Sequence, residues 1–499
     1  MKTKFSTYLG TKSRLDDFID KSLLDPSRMT SFLRGEVLVS QLGMGTYRLH
    51  HDIPEHAAAV GAALCSGVNL IDTAPNYTFG GSEKLIGKVL ESLGGPKIRE
   101  QFVVITKGGI LQGAENNIIQ GGMSSSKGPD GLIPLSADTW GCFHPEFLER
   151  QLQASLERLK LESLDVFLLH NPEIFLEWTL KQAKNNSEAG WIKFYHGMES
   201  AFTWLENKVL EGKILYYGVS SNQLQKASNS RPSISITSLI QCAEKAAKQL
   251  NPTNEHHFQV VQFPLNPLEL EGYEAIFEST SKYGLDILIN RPFNAMRDDR
   301  LFRLARREFV EDENYESIVE KSLDCIEKFE QAFLEHFVTV EDPGFHLFRV
   351  GSELREVAMR LEDSDHLHEL MNYYFLPHTQ RSLEWLEQNA SKEWLEHVDG
   401  YLESWEKLEI AMHGKLNRDE YNQVIRPILG DAYTLLKLDD LSLDAGILRF
   451  LMSFPARPVI LNGMRTPHQV KSSTEALIHS NHPSFEEIIN YLDRPQKTN

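Results

Sequence analysis

The sequence predicts an α/β fold, a (β/α)8 TIM barrel with an all-helical insertion after its seventh strand. Three observations predict it. Short β-branched or apolar runs alternate with longer amphipathic segments from about residue 40 to 294. The pattern resumes near the end of the chain, where it supplies an eighth strand. Between these stretches strand signals become sparse and helical periodicity takes over. An open doubly wound sheet is the alternative arrangement of the same units.

In chain order the strand candidates are Leu42 to Gly45, Leu70 to Ile71, Phe102 to Thr106, Val166 to Leu169, Ile214 to Val219, Val260 to Phe263, Leu285 to Ile289 and Pro458 to Leu461. Each is short, apolar and bounded by turn residues, as a strand buried on both faces should be. The helix candidates between them are Glu55 to Cys65, Ser82 to Leu93, Pro145 to Leu159, Phe202 to Leu210, Leu239 to Leu250 and Leu268 to Tyr283. Ser442 to Ser453 and Thr466 to Leu477 follow, the last opening Thr-Pro, a favoured helix start. In the insertion, Val319, Leu323, Ile326, Phe329 and Phe333 form one apolar face and Leu383, Leu386, Ala390, Trp394 and Val398 another. Neither face can be left in water, so a bundle is expected there. The expected division is an N-terminal extension over 1–36, barrel strands one to seven over 37–295, the helical insertion over 296–440, barrel completion over 441–482 and a C-terminal helix and tail over 483–499. By its chain position, the insertion should leave from the C-terminal face of the barrel.

The composition narrows the function. The 499 residues carry 51 Lys plus Arg and 70 Asp plus Glu, a net charge of 51 − 70 = −19, which argues against nucleic-acid binding. The longest near-apolar run, Ala57 to Ile71, is interrupted by glycine, serine and asparagine and is too short to cross a bilayer. The opening MKTKFSTYLGTKSR lacks an apolar stretch, so a cytoplasmic location is expected. Four scattered cysteines form no metal or redox motif and read as reduced and structural. Asp363, Asp365, His366, His368 and Glu369 read as a solvated helix rather than a metal site, since no Glu-x-x-His pair recurs.

Polar residues end many of the strands: Thr46, Asp72, Lys107, His170, then Ser220, Ser221 and Asn222, Gln262, and Asn290 with Arg291. Loops begin at strand ends, so any one of these has a bland explanation. Together they converge on the mouth where barrels place their chemistry. Lys107 in FVVITKGG and His170 in DVFLLHNP directly follow apolar strands, where an ionisable group is costly to bury without a partner. Asp72 can pair with Lys107 from the adjacent strand. Tyr77, five residues beyond Asp72, adds a phenol that is a poor proton carrier at neutral pH unless a cation favours the phenolate; Lys107 would be that cation. His170 would then orient a substrate oxygen.

These segments, LGMGTYR, IDTAPNYTFGGSE, VITK, LKLESLDVFLLHNPE, GKILYYGVSS, VVQFPLN and PVILNGMRTPHQV, resemble the aldo-keto reductase family over about Val37 to Asn294 and Leu443 to Leu477. The resemblance implies a nicotinamide cofactor, hydride transfer to the carbon of an aldehyde or ketone (or the reverse from an alcohol), and Tyr77 as the proton donor. It implies that Lys107 and Asp72 polarise Tyr77 and that His170 orients the substrate. It puts Ser220, Ser221 and Gln262 at the carboxamide and Gly45 and Thr46 beneath the cofactor. Asn290, followed by Arg291, stands where relatives often stack an aromatic ring. Gly463 and Gln469 replace a lysine and an arginine often found around the adenosine phosphate, leaving Arg465 and Lys471 to grip it, so NADP is favoured and NAD remains possible. The insertion matches nothing in the family pattern. It leaves open a second class of function, a nucleotide-sensing scaffold that holds a protein partner through its helices.

Overall fold

The computed structural model describes residues 4–112, 132–135, 139–184, 186–224, 232–250, 254–297, 300–305, 313–337, 347–358, 361, 364–389, 392–436, 442–478 and 485–492. It opens with a helix, Tyr8–Asp20, capped by Thr7, whose hydroxyl accepts from the Gly10 amide at 3.0 Å. An antiparallel hairpin of β1 (Met29–Phe32) and β2 (Val37–Ser40) follows. Then come β3 (Leu42–Gly45), β4 (Leu70–Asp72) and β5 (Val103–Gly108). A three-stranded antiparallel sheet of β6 (Ile110–Gln112), β7 (Ile133–Pro134) and β8 (Thr139–Gly141) lies in the long excursion after β5. Residues 113–131 and 136–138 of that excursion lie outside the described residues. The chain continues through β9 (Leu164–His170), β10 (Ile214–Ser220), β11 (Phe258–Pro264), β12 (Asp286–Asn290), β13 (Asn294–Arg297), β14 (Arg300–Arg303) and β15 (Val459–Gly463).

Eight strands close into one parallel barrel in the order β3, β4, β5, β9, β10, β11, β12, β15 and back to β3. All eight expected strands are present, and closure removes the open-sheet alternative. The inner face follows from the two-residue period of a strand. Leu70, Val103, Ile105, Val166, Leu168, Val260, Leu288, Val459 and Leu461 form one buried cluster filling the barrel. A methyl group on Gly43 would stand 2.9 Å from a Leu461 methyl and 3.0 Å from a Leu70 methyl, so a larger residue there would have to displace both leucines. Gly218 is tighter still, because a Cβ there would lie 1.7 Å from the Val260 carbonyl oxygen where β10 and β11 shift register.

The helix expected from Phe202 instead begins at Ser187, and Glu173–Gln182 forms a helix before it. Gly190 and Gly197 lie within the longer helix. Both are contact points: a Cβ on Gly190 would meet Leu180 at 2.9 Å, and one on Gly197 would meet Phe175 at 2.4 Å. The other helices lie within a few residues of expectation, for example Pro54–Leu64, Gly81–Leu93 and Pro145–Leu159. The β1–β2 hairpin and its turn, not expected from the sequence, seal the barrel's N-terminal end. Phe32, Leu33 and Val37 join the interior cluster, and the Leu33 amide donates to Asp286 at 2.8 Å. Burial pushes the Asp286 carboxyl up to about 6.

The chain divides into two compact units, Met1–Leu304 with Asp431–Asn499, and Ala305–Gly430. The residues just after the seventh strand, expected to be helical from 296, instead form the β13–β14 hairpin, and Asp431–Leu436 packs within the first unit. The second unit is helical, with Tyr315–Phe337, Leu376–Asn389 and Lys392–Glu420 as its longest members. Its core joins the two apolar faces read from the sequence, with Leu323, Ile326, Phe333, Leu386 and Trp405 buried and Val319, Phe329, Leu383, Trp394 and Val398 packed against them. Ala390 and Asp363 lie outside the described residues, as do the side chains of Asp365, His368 and Glu369. Cys142 and Cys242 are buried, whereas Cys65 and Cys325 are exposed. Among the described residues no helix is long and apolar enough to cross a membrane.

One carboxylate stands inside the helical core. Glu330 is enclosed and accepts from the Gly351 amide at 3.0 Å and the Tyr401 hydroxyl at 3.2 Å. Burial pushes its carboxyl up to about 7. A folded-state value above the unfolded one means that the folded chain holds the proton more tightly. Its stabilising effect is therefore complete below about pH 4.5 and is lost as pH rises to about 7. The predicted loss is of order 3 kcal/mol. Hydrogen exchange in Tyr315–Phe337 of the full chain should accelerate beyond intrinsic chemistry over that range, and Glu330→Gln should remove the trend; an unchanged slope in the variant would refute the assignment.

Candidate active site

The strand period that buries aliphatic side chains lower in the barrel brings polar ones to its C-terminal end. Leu70 leads to Asp72, Ile105 to Lys107, Leu168 to His170, Gly218 to Ser220, Val260 to Gln262 and Leu288 to Asn290, each two residues on and so on the inner face. Gly43 leads to Gly45 and Leu461 to Gly463 in the same way. Strand pairing sets these positions side by side, with Gly463 opposite Gly45, Gly45 opposite Asp72, and Ser220 opposite both His170 and Gln262. The result is a ring of six polar side chains with one bare sector, where the two glycines adjoin.

Lys107 is fully enclosed. Its Nζ donates to Asp72 Oδ2 at 2.5 Å, to the Thr73 carbonyl at 3.1 Å and to Tyr77 Oη at 3.2 Å. All three ammonium hydrogens are thus placed. Burial opposes the charge, but Asp72 and Tyr77 outweigh it and the net shift is upward. Gln262 fastens the far side of Asp72, its Nε2 donating to Oδ1 at 2.8 Å. The Gln262 Oε1 accepts from Ser220 Oγ at 2.8 Å and Asn290 Nδ2 at 3.1 Å. Thr46 braces the β4 end, donating through Oγ1 to the Asp72 carbonyl at 2.9 Å, and Ser82 donates to Thr46 in turn.

Tyr77 stands half-buried at the mouth, on a turn in which Thr78 and Phe79 adopt left-handed backbone angles. Its ring meets Tyr47 edge-on at 5.2 Å and His170 at 6.0 Å between centroids. Lys107 does favour the phenolate, as expected, but it does not set the net shift. Burial raises the Tyr77 pKa, Asp72 adds to that, and together they exceed the lowering by Lys107, so the hydroxyl keeps its proton at neutral pH. Burial, followed by the Lys107 charge, drives the His170 pKa well below the ordinary value, leaving a neutral imidazole. No described group bonds its Nδ1, nor the Oδ1 of Asn290, although both atoms are buried.

Ser221 joins this ring through its backbone amide, which donates to the Gln262 carbonyl at 2.9 Å, while its hydroxyl donates to Glu173 at 2.7 Å. Sequence reading missed Glu173. It follows a proline at a helix start, where an acid has an ordinary explanation in the helix dipole. Burial raises its pKa, while hydrogen bonds from Ser221 and Asn222 act against the rise. Arg291, with φ of 52°, pairs with Glu269 at 3.0 Å rather than with the ring residues. Beyond β15, Gln469 accepts from the Arg465 amide at 2.8 Å and so closes the turn that starts the last barrel helix, while Lys471 is exposed.

A model of the aldo/keto reductase family matches residues 41–336. The chain belongs to that family. The eighth strand and its helix lie beyond the matched stretch. A 6-dehydroglucose reductase of Novosphingobium aromaticivorans is 33% identical over 147 residues, 28% of this chain and 40% of that protein. An NADH-specific methylglyoxal reductase of Escherichia coli is 30% identical over 144 residues, 27% and 39% of the two chains. The chain therefore spans about 40% of the length of these curated relatives. Among solved structures, a glycerol dehydrogenase from Gluconobacter oxydans aligns over 94% of this chain and 95% of its own, at 15% identity and a TM-score of 0.47.

Proposed function

We propose that this aldo/keto reductase interconverts an aldehyde or ketone and its alcohol, with Tyr77 as the group that moves the proton. The observation that carries the reading is the hydroxyl of Tyr77, 3.2 Å from an ammonium that is itself held by Asp72 at 2.5 Å. A protonated phenol beside a fixed cation is an acid whose conjugate base is stabilised where it forms. In the reducing direction the Tyr77 proton passes to the substrate oxygen as charge develops there, and Lys107 then faces the phenolate. Asp72 keeps Lys107 in position. The neutral His170 can bond the same oxygen without repelling Lys107.

A nicotinamide dinucleotide fits the remainder of the ring. The adjoining Gly45 and Gly463 leave a side-chain-free sector for a flat ring, and the buried Asn290 Oδ1 is an acceptor still without a donor among the described residues. Bound there, the cofactor would supply or take the hydride. Ser220, Ser221 and Gln262 would meet its carboxamide, and Gly45 and Thr46 would lie beneath it. Arg465 and Lys471 would meet a 2′-phosphate, so NADP is preferred to NAD. Gln469, committed to its turn, would support that loop. Fluorescence titration with NADPH and NADH, followed by a panel of aldehydes and ketones, tests the reading; absence of binding by both cofactors would exclude it.

A further inference from the structure

Tyr77 leads into a turn of unusual backbone shape. Thr78, Phe79 and Gly80 follow one another in the left-handed region, with φ of 48°, 55° and 79°, and the two that are not glycine are strained there. Such a turn keeps its shape only while both of its ends are held. At the near end the Tyr77 amide donates to the Ala74 carbonyl at 3.1 Å, and the Thr78 hydroxyl donates to the Leu49 carbonyl at 2.6 Å. The far end runs into the helix Gly81–Leu93, in whose first turn Glu83 is fully buried.

A glutamate at the third position of a helix ordinarily turns back to the cap amide. The two oxygens of Glu83 reach elsewhere. Oε1 accepts from Thr106 Oγ1 at 2.6 Å, and Oε2 accepts from Arg158 Nε at 2.6 Å. Arg158 packs directly on the turn, since a Cβ on Gly80 would stand 2.9 Å from its Cδ. Thr106 is the residue before Lys107 on β5, and neighbouring residues of a strand face opposite sides. Lys107 points into the barrel and meets the Tyr77 hydroxyl at 3.2 Å, while Thr106 points outward and meets Glu83. The segment from Tyr77 to Glu83 therefore grips β5 from both faces at adjoining residues. The outer grip limits how far the inner one can drift.

We infer that Glu83 is a positioning residue that holds the Tyr77 hydroxyl against Lys107, by pinning the end of its strained turn to Thr106 on the outer face of β5. This rests on the reading of Tyr77 as the proton carrier. Placement matters steeply there, because a misplacement of about 1 Å can cost on the order of 100-fold in rate.

Thr106→Val deletes the outer hydroxyl alone and leaves Glu83 paired with Arg158. With NADPH and the fastest carbonyl substrate of the panel above both saturating, kcat per folded molecule should fall roughly tenfold while NADPH affinity in fluorescence titration stays unchanged. The solvent deuterium isotope effect on kcat should rise above the wild-type value, because transfer of the phenol's proton becomes the slow step. Thr106→Ser, which returns the hydroxyl, should recover most of the rate and the wild-type isotope effect. Glu83→Gln should reproduce the loss and the larger isotope effect, and the two threonine variants decide the matter should it fail to fold. An unchanged kcat in Thr106→Val, a loss without a larger isotope effect, a matching loss of NADPH affinity, or a serine variant as slow as the valine one would each make Glu83 an ordinary structural anchor and overturn the inference. Full turnover in Tyr77→Phe would instead bring down the proton-carrier reading, and this inference with it.

Discussion

Replacing Tyr77 by phenylalanine should lower carbonyl reduction by about 100- to 10,000-fold while leaving NADPH binding intact, because it deletes one proton carrier and little else. The ring keeps its contacts with Tyr47 and His170. Lys107 loses one of three acceptors and retains Asp72 and the Thr73 carbonyl. Folding should therefore change little, and the loss should fall on kcat. The raised Tyr77 pKa gives the wild-type pH profile a sign: reduction needs the protonated phenol, so the rate should hold through neutral pH and fall only above about pH 10. Full turnover in Tyr77→Phe would remove this residue from the mechanism.

Lys107→Met should act on both stability and turnover. It leaves Asp72 enclosed with Gln262 but without a counter-charge, and breaking a buried ion pair from one side costs about 3–5 kcal/mol. A lower urea midpoint with an unchanged slope would report that cost. Turnover should fall as well, since the phenolate left by proton donation loses its cation, and the alkaline limb of any remaining activity should move to higher pH. Asp72→Asn with Lys107 intact is the complementary variant. If Lys107→Met were as stable and as active as the wild type, the enclosed pair would be irrelevant to both.

Most of the barrel was legible because strand burial on both faces writes itself as short apolar runs, and all eight were readable. Asp72, Lys107 and His170 were legible for a related reason, since each extends the inward-facing register of an apolar strand by one step. The rest was hidden. The start of the helix holding Gly190 and Gly197 was missed, and both glycines admit a neighbouring helix, a fact of tertiary contact. Glu173 opens a helix that the sequence pattern did not reveal. The protonation of Tyr77 turned on how far burial outweighs a nearby cation, which depends on enclosure rather than on residue type. The N-terminal hairpin was unreadable because Phe32 and Leu33 are apolar for the sake of strands that come much later in the chain.

The pairing of β15 with both β12 and β3 has a consequence for biosynthesis. Seven staves of the barrel leave the ribosome before the helical unit does, and the eighth only after it. During that interval β3 and β12 are unpaired sheet edges on a nascent chain, the kind of template that recruits strands from other molecules. A polypeptide truncated before Val459 should accordingly emerge as a sticky, chaperone-dependent species, with the codons for β15 deciding whether the product stays in solution.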